Sequence, residues 1–451
     1  MTSRDTRVRL AAGLVVAAYI AIVAVWSFQI PLGGGIDEPR HLRYVQIVAE
    51  EGRLPTPAEK QEAISHHPPL HYLILAPVYL ATRGMGEAAS WHALRLAQIP
   101  LGVAMLLLVF AMVRRMLPER PWAAVVAMGS IALLPHVQLI SAVLSNDITT
   151  ALFCALMLYF VIRAIGEPER ILRWGLLAGL GAGLAALTRT NAMALIPVGF
   201  VAVAIAPLLM RRAAPVEDEQ PEGTDGPDVA RPDAGSLALR GAVAFAGVFG
   251  LTGGLWLARH IATWGGIDPD PPWPEYTWPV HTFAAKFLRA AGGLFRSWWA
   301  QVGWIPGPHS AHPPGYSPLW PRPDLELPVF AIAAVLTLIA AAGVIVLLVR
   351  WLRSAEQRGR GLALATLAGC WLLTTGGVIY NAMYVNPGRF EGGRYALPAV
   401  AAVMSLLAVG PIALPRRWTV VVWVATVALL TAMTAISFWE MHTYLIPTFA
   451  K

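Results

Sequence analysis

The chain has 451 residues, of which 56% are hydrophobic and only 14% charged, with a formal charge of +7. A water-soluble domain of this length has too little interior to hide that apolar share, so the composition points to a polytopic membrane protein. Its positive charge does not point to nucleic acid, because the arginines stand in pairs at the ends of apolar runs and form no single stripe.

Arg4, Arg7 and Arg9 precede the apolar stretch 10–30. That stretch is about the 20 residues needed to cross a hydrocarbon core, is longer than a signal-peptide core and lacks an Ala-x-Ala cleavage pattern, which predicts a retained signal anchor. Further runs at 92–113, 121–140, 147–165, 174–188, 192–210, 240–261, 328–349, 361–381, 395–414 and 418–438 bring the prediction to an all-α polytopic membrane fold of eleven transmembrane helices. With the amino terminus cytoplasmic, alternation puts Arg114/Arg115, Arg163/Arg170/Arg173, Arg211/Arg212, Arg350/Arg353/Arg358/Arg360 and Arg416/Arg417 on the cytoplasmic side and the carboxyl terminus outside. Cys154 and Cys370 each lie inside an apolar run, where a thiol is a small packed hydrophobe, and support neither a disulfide nor a metal centre. Residues 213–236, rich in acid, Pro and Gly, predict a disordered cytoplasmic linker between an N-terminal module, 1–212, and a C-terminal module, 237–451.

The same alternation sends the remaining polar residues to the external face: the first loop (31–91), the turn at Asn146 and Asp147, Arg189, the Trp-rich segment 262–327, and "NPGRFEGGRY" (386–395). Loops of separate spans meeting on one face are how a membrane enzyme assembles a site.

In "GGGIDEPRHLRY" (33–44), Asp37, Glu38 and Pro39 followed by Leu42, Val45, Val48 and Gly52 predict an N-capped amphipathic helix lying in the interface. Asp37 is then either that cap or, with Glu38 beside it, part of a carboxylate pair suited to general-base work or cation binding. In "SHHPPLHYL" (65–73), His66 and His67 stand at a helix start. His67 and His71 either share a divalent metal ion, with Glu38 as a further candidate ligand, or hydrogen-bond loop backbone. "LSNDITT" (144–150) reads as a turn and cap or as a substrate-positioning element. Arg189 either snorkels or pairs with an anion, and Arg394 stands behind Gly392 and Gly393, which would let backbone approach a ligand closely. Arginine grips phosphate bidentately, so both are candidates for holding a phosphate headgroup. "RSWWAQVGW" (296–304) offers Trp298 and Trp299 as flat faces for a sugar or prenyl group, with an interfacial aromatic belt as the plainer reading. Charge inside the spans is scarce apart from residues near their ends, such as Arg95 and Arg259, which argues against an ion-coupled transporter.

"GIDEPRHLRY", "HHPPLHYL", "LSND", "GLAALTRTNAMALIP", "SWWAQVGW" and "GGRYALPA", in this order, resemble the polytopic glycosyltransferases of the C superfamily, near the protein mannosyltransferases and aminoarabinose transferases. The resemblance implies a bacterial inner-membrane enzyme with an external active site, which moves a sugar from a polyprenyl-phosphate carrier to a glycan, lipid or protein acceptor of the envelope. It makes Asp37 the catalytic base and Glu38 the catalytic neighbour that assists it or binds a cation. His41, His66, His67, Asn146, Asp147, Arg189, Trp298, Trp299, Arg394 and Tyr395 become candidates for binding donor or acceptor. Two departures stand out: Arg189 replaces a lysine frequent in relatives, and Glu391-Gly392 precede "GRY" where glutamine is expected. No cofactor is required, though a divalent metal is permitted. The competing readings are a flippase or transporter and a non-catalytic scaffold of envelope assembly.

Overall fold

The computed structural model describes residues 3–211, 233–266, 282–299, 323–385, 392–440 and 442–443. Among them every regular element is helical. Most of the predicted linker and of the Trp-rich segment, including Trp273, Trp278, Trp304 and Trp320, lies outside the described residues, as does Glu391.

The first span, α1 (Ser3–Gln29), leads into a loop that carries α2 (Glu38–Glu51), α3 (Lys60–Ala63), α4 (Leu70–Thr82) and α5 (Glu87–Leu96). Pro39 in the first turn and Gly52 at φ 63° after the last bound α2, as the sequence pattern requires. Its apolar face, with Leu42 and Val45, packs on Tyr72, Leu75 and Tyr79 of α4 and on Trp91 and Leu94 of α5 in a small core of its own. The loop is thereby a built platform and not a strap.

α5 continues into α6 (Ile99–Met116) as one 30-residue apolar helix. The predicted span 121–140 is broken: α7 (Pro121–Ala132) and α8 (Pro135–Ala142) meet at 59°, with Pro135 opening the second piece. Next come α9 (Asp147–Gly166), α10 (Ile171–Ala186) and α11 (Ile196–Arg211). α12 (Ala234–Phe249) and α13 (Leu255–Trp264) join through a π-helical turn at Gly250–Gly254. The chain is completed by α14 (Phe283–Trp299), α15 (Pro323–Arg353), α16 (Arg358–Tyr380), α17 (Gly392–Ala396), α18 (Val400–Val409) and α19 (Arg416–Glu440).

Nine helices among the described residues are long and apolar enough to cross a membrane, or ten if the bent α7–α8 pair is one span, against the eleven predicted. The difference falls at 174–188, where α10 has only 16 residues. α10 is placed by close packing instead. A Cβ on Gly175 would sit 2.7 Å from the Gly241 carbonyl oxygen, and Gly179 lies as tightly against Phe245, so a stripe of small residues lets α10 and α12 meet backbone to backbone.

The ion pairs separate the two ends of the bundle. Arg114–Asp5, Arg115–Glu167, Arg163–Glu167 and Arg360–Glu119 cluster at the end where α1 begins. Asp37, Asp147, Arg189 and Arg394 gather at the other.

Candidate active site

Four loops converge at that second end. Asp37 precedes α2, Asp147 opens α9, Arg189 follows α10 and Arg394 lies in α17. Both arginines bind one carboxylate: Arg189 Nη1 reaches Asp147 Oδ1, and Arg394 Nε donates to Asp147 Oδ2 at 2.7 Å. Arg394 Nη1 also lies 3.7 Å from Asp37 Oδ2, so one guanidinium spans the two carboxylates. Ser145 Oγ donates to Asp147 Oδ2 at 2.7 Å, and the guanidinium of Arg189 lies 5.3 Å from the ring centre of Tyr395. Asp147, Arg189 and Arg394 are almost fully buried, their side chains 1%, 7% and 4% exposed, whereas that of Asp37 is 36% exposed. Of these four side chains, that of Asp37 alone is open to solvent.

Asp37 does not cap α2. It sits at the N-cap position with φ 57° and ψ 13°, a left-handed conformation uncommon for a residue with a Cβ, and its side chain makes no capping bond. Its carboxylate instead accepts from Arg40 Nη1 at 3.1 Å, while Arg40 Nη2 anchors on the Lys60 carbonyl at 2.9 Å. Burial by itself would raise the proton affinity of Asp37, but the nearby Arg394 and Arg40 guanidinium groups outweigh it and hold the carboxyl below its ordinary value.

Glu38 departs from the role expected of it. Fully buried, it is gripped by Arg95, whose Nε and Nη2 each donate to it at 2.7 Å. Its two oxygens also accept from the backbone N–H groups of Gly35 and Leu144, at 2.9 and 2.8 Å. The remaining Arg95 donors go to the carbonyls of Ser27, Ile30 and Pro31. Glu38 is thus a tie between the end of α1, the first loop and the α8–α9 turn, with no lone pair left for a cation or a proton. Gln98 completes the tie: its Nε2 donates to the Val143 carbonyl at 2.8 Å, and its Oε1 accepts from Ser145 N–H at 3.3 Å.

The histidines form a buried network and no metal cage. His41 Nδ1 lies 2.9 Å from the Tyr72 hydroxyl and His67 Nδ1 3.2 Å from the same oxygen. His71 Nδ1 pairs with Thr149 Oγ1 at 2.8 Å. α4 begins only at Leu70, so His67 and His71 do not share a helix face, and the i, i+4 premise for a shared metal fails. Among the described residues no group of three or more His, Cys, Asp and Glu is placed to hold a metal ion. Burial, reinforced by Arg394 at His41 and by His66 at His67, keeps both imidazoles well below their ordinary pKa, and burial takes that of His71 down to about 3. All three rings are therefore neutral near pH 7. His66 sits edge-on to His67 and Trp264, with ring centres 4.6 and 6.2 Å away. Asn146 Nδ2 donates to the Thr188 carbonyl at 2.9 Å and approaches His67 Nδ1 at 3.3 Å, which ties the α8–α9 turn to both the histidines and the Arg189 segment.

Trp298 and Trp299 are 8% and 3% exposed and belong to the main core, so they offer no open face for stacking. Of the two glycines before Arg394, Gly393 serves packing: a Cβ there would lie 2.6 Å from the Ser297 carbonyl, and Gly393 N–H donates to Ser297 Oγ at 2.8 Å. α14 is the shelf on which Arg394 rests. His136 Nδ1 donates to the Ser297 carbonyl at 3.0 Å and fastens α8 to the same shelf.

Arg95, Gln98, Tyr72, Ser145 and Ser297 were not singled out as site residues from sequence. Arg95 carried a usable signal: a charge inside a run predicted to span the membrane is costly without a partner. The others are ordinary residue types whose importance lies in long-range contacts.

Residues 66–215 match the family of dolichyl-phosphate-mannose-protein mannosyltransferases. The matched stretch contains His66, His67, His71, Asn146, Asp147 and Arg189; Asp37, His41 and Arg394 lie outside it. That family is one of the glycosyltransferases of the C superfamily, which the motifs resemble. No curated protein matches the chain. Among solved structures, the oligosaccharyltransferase of Archaeoglobus fulgidus, tethered to an acceptor peptide containing the NVT sequon, is similar over 94% of this chain and 55% of its own, at 15% identity and a TM-score of 0.47. This chain thus spans about half the length of that enzyme. ArnT from Cupriavidus metallidurans, bound to undecaprenyl phosphate, is similar over 94% of this chain and 77% of its own, at 16% identity and a TM-score of 0.40.

Proposed function

We propose that this chain transfers a sugar from a polyprenyl-phosphate carrier to an acceptor hydroxyl of an envelope glycan, lipid or protein, on the external face of the bacterial inner membrane. Asp37 is the general base, and Arg189 and Arg394 receive the leaving phosphate. The observation that carries the proposal is the shared guanidinium: Arg394 stands between the reachable carboxylate of Asp37 and the buried one of Asp147.

Asp37, Asp147, Arg189 and Arg394 sum to zero charge with His41, His67 and His71 neutral. A donor phosphodiester brings one negative charge, and the polyprenyl phosphate that leaves carries two. In an inverting displacement the acceptor oxygen bonds to the anomeric carbon as the bond from that carbon to phosphate oxygen breaks, and the acceptor proton passes to Asp37. The charge lost at Asp37 equals the charge gained on phosphate, so the cluster's total stays constant through the step. Arg394 acts at both ends. Drawn toward the donor phosphate, it releases Asp37 from the field that suppresses its basicity, and it stabilises the charge that develops as the bond breaks. Glu38 and Arg95 take no part in the chemistry here and position the loop.

Mass spectrometry of lipid-linked sugars and envelope glycans, from cells with the wild-type protein, a deletion, or Asp37→Asn, tests the proposal. Accumulation of one polyprenyl-phosphate sugar and loss of one glycan decoration in both altered strains is the expected result. Altered glycans in the deletion with wild-type glycans in Asp37→Asn would remove Asp37 as the base and favour a flippase or scaffold.

A further inference from the structure

At the end of the bundle remote from Asp37, α1, α7 and α19 leave an apolar groove of about 600 Å³. Trp122, Trp423 and Val424 contribute to its walls, and Arg4, Arg120 and Arg416 stand at its mouth. The arginines nearby are paired with acids: Arg114 with Asp5, Arg115 and Arg163 with Glu167, Arg360 with Glu119. Among the described residues Arg4 has a single hydrogen bond, to the Glu119 carbonyl at 3.2 Å. The Arg120 and Arg416 guanidinium groups have no hydrogen bond or ion pair among the described residues. Topology alone accounts for arginines at helix ends. It does not account for three around one groove, two of them without partners.

The groove's dimensions fit a lipid. From Arg416 to Ala428 along α19 it runs about 18 Å at 1.5 Å per residue, close to the thickness of one leaflet of a ~30 Å hydrocarbon core. Its floor is satisfied, because Trp423 Nε1 donates to the Ala408 carbonyl at 2.8 Å and Thr419 Oγ1 to that of Pro411 at 2.9 Å. Val424 is 63% exposed and Trp122 39%, so the walls face the bilayer. We propose that this groove is a binding site for an anionic phospholipid, whose phosphate lies among Arg4, Arg120 and Arg416 and whose acyl chain lies along α19. The unpaired positive charge at the mouth selects net negative headgroups over zwitterionic ones. This site is separate from the one that takes the sugar donor, and it stands whether or not Asp37 is the base.

Native mass spectrometry of the purified full-length protein, titrated with phosphatidylglycerol or phosphatidylcholine, tests it. The wild type is expected to hold phosphatidylglycerol at least tenfold more tightly, and Arg120→Gln/Arg416→Gln to bring the two lipids within twofold. Arg417→Gln, a neighbour that does not line the groove, is expected to keep the preference. Val424→Trp fills the groove without changing charge and is expected to lose the lipid, which keeps the test alive if the double arginine variant fails to fold. Equal binding of the two lipids by the wild type, an undiminished preference in the double variant, or an intact lipid in Val424→Trp would overturn the proposal. Displacement of the lipid by millimolar inorganic phosphate would overturn it too, since it marks a simple ion site.

Discussion

Asp37 is held where a carboxylate is least comfortable, in a left-handed backbone conformation and partly buried, yet ionised because Arg394 and Arg40 lie beside it. The backbone strain costs on the order of 1–3 kcal/mol and persists because the flanking atoms are pinned. Asp37→Asn keeps size and hydrogen bonding but cannot take a proton; turnover should drop roughly 10²–10⁴-fold with donor binding retained, as measured by single-turnover kinetics and donor titration. The pH dependence follows from direction and cause. A carboxyl whose folded pKa is depressed contributes stability that is present above its unfolded value of about 3.9 and is lost as pH falls through the lower folded value. The acid limb of kcat/KM should therefore lie below the ordinary carboxylate range, with no inflection from His41, His67 or His71 near neutrality. Arg394→Gln removes an attraction that lowers the pKa and leaves burial, which raises it. Its acid limb should move to higher pH, and a pH–rate profile in which it stayed put would dissociate Arg394 from Asp37.

The first loop works as an element because Glu38 ties it down. Removing one partner of a buried pair leaves an uncompensated charge, so Arg95→Met should destabilise the fold by about 3–5 kcal/mol. In Glu38→Gln/Arg95→Met no such charge remains, and thermal unfolding should show the double variant losing less than the two single losses added together. The adjacency of Asp37 and Glu38 was legible in the sequence as two acids at a lipid boundary. Their division of labour was not, since it depends on Arg95, 57 positions away, and on the Leu144 amide. α10 gives a second lesson. It joins the Arg163–Glu167 end to Arg189 in only 16 residues, and Gly175 and Gly179 seat it closely against α12. Gly179→Leu should prise the two helices apart and lower the melting temperature, while Gly247→Leu, with open space around its Cβ position, should not.

Across the whole molecule the two ends carry different electrostatics. Exposed pairs such as Arg360–Glu119 contribute roughly 0–1 kcal/mol, so Arg360→Ala should leave both melting temperature and transfer rate nearly unchanged. The buried cluster at the opposite end should be intolerant: Asp147→Asn removes the carboxylate that Arg189 and Arg394 share, leaves Asp37 as the one negative charge beside Arg394, and should cost turnover and stability together, in the same two assays. The helical membrane fold, most span positions and the separation of arginine-rich ends from the loops that carry Asp37 and Arg394 followed from the sequence alone, because apolar run length and the placement of arginine are local, one-dimensional signals set by the bilayer. The convergence of Arg189 and Arg394 on Asp147, the burial of Trp298 and Trp299 and the tie through Glu38 were decided by tertiary structure alone. Each joins residues tens to hundreds of positions apart, and whether a charge is a base, a clamp or a strut is fixed by the partner that desolvation forces upon it.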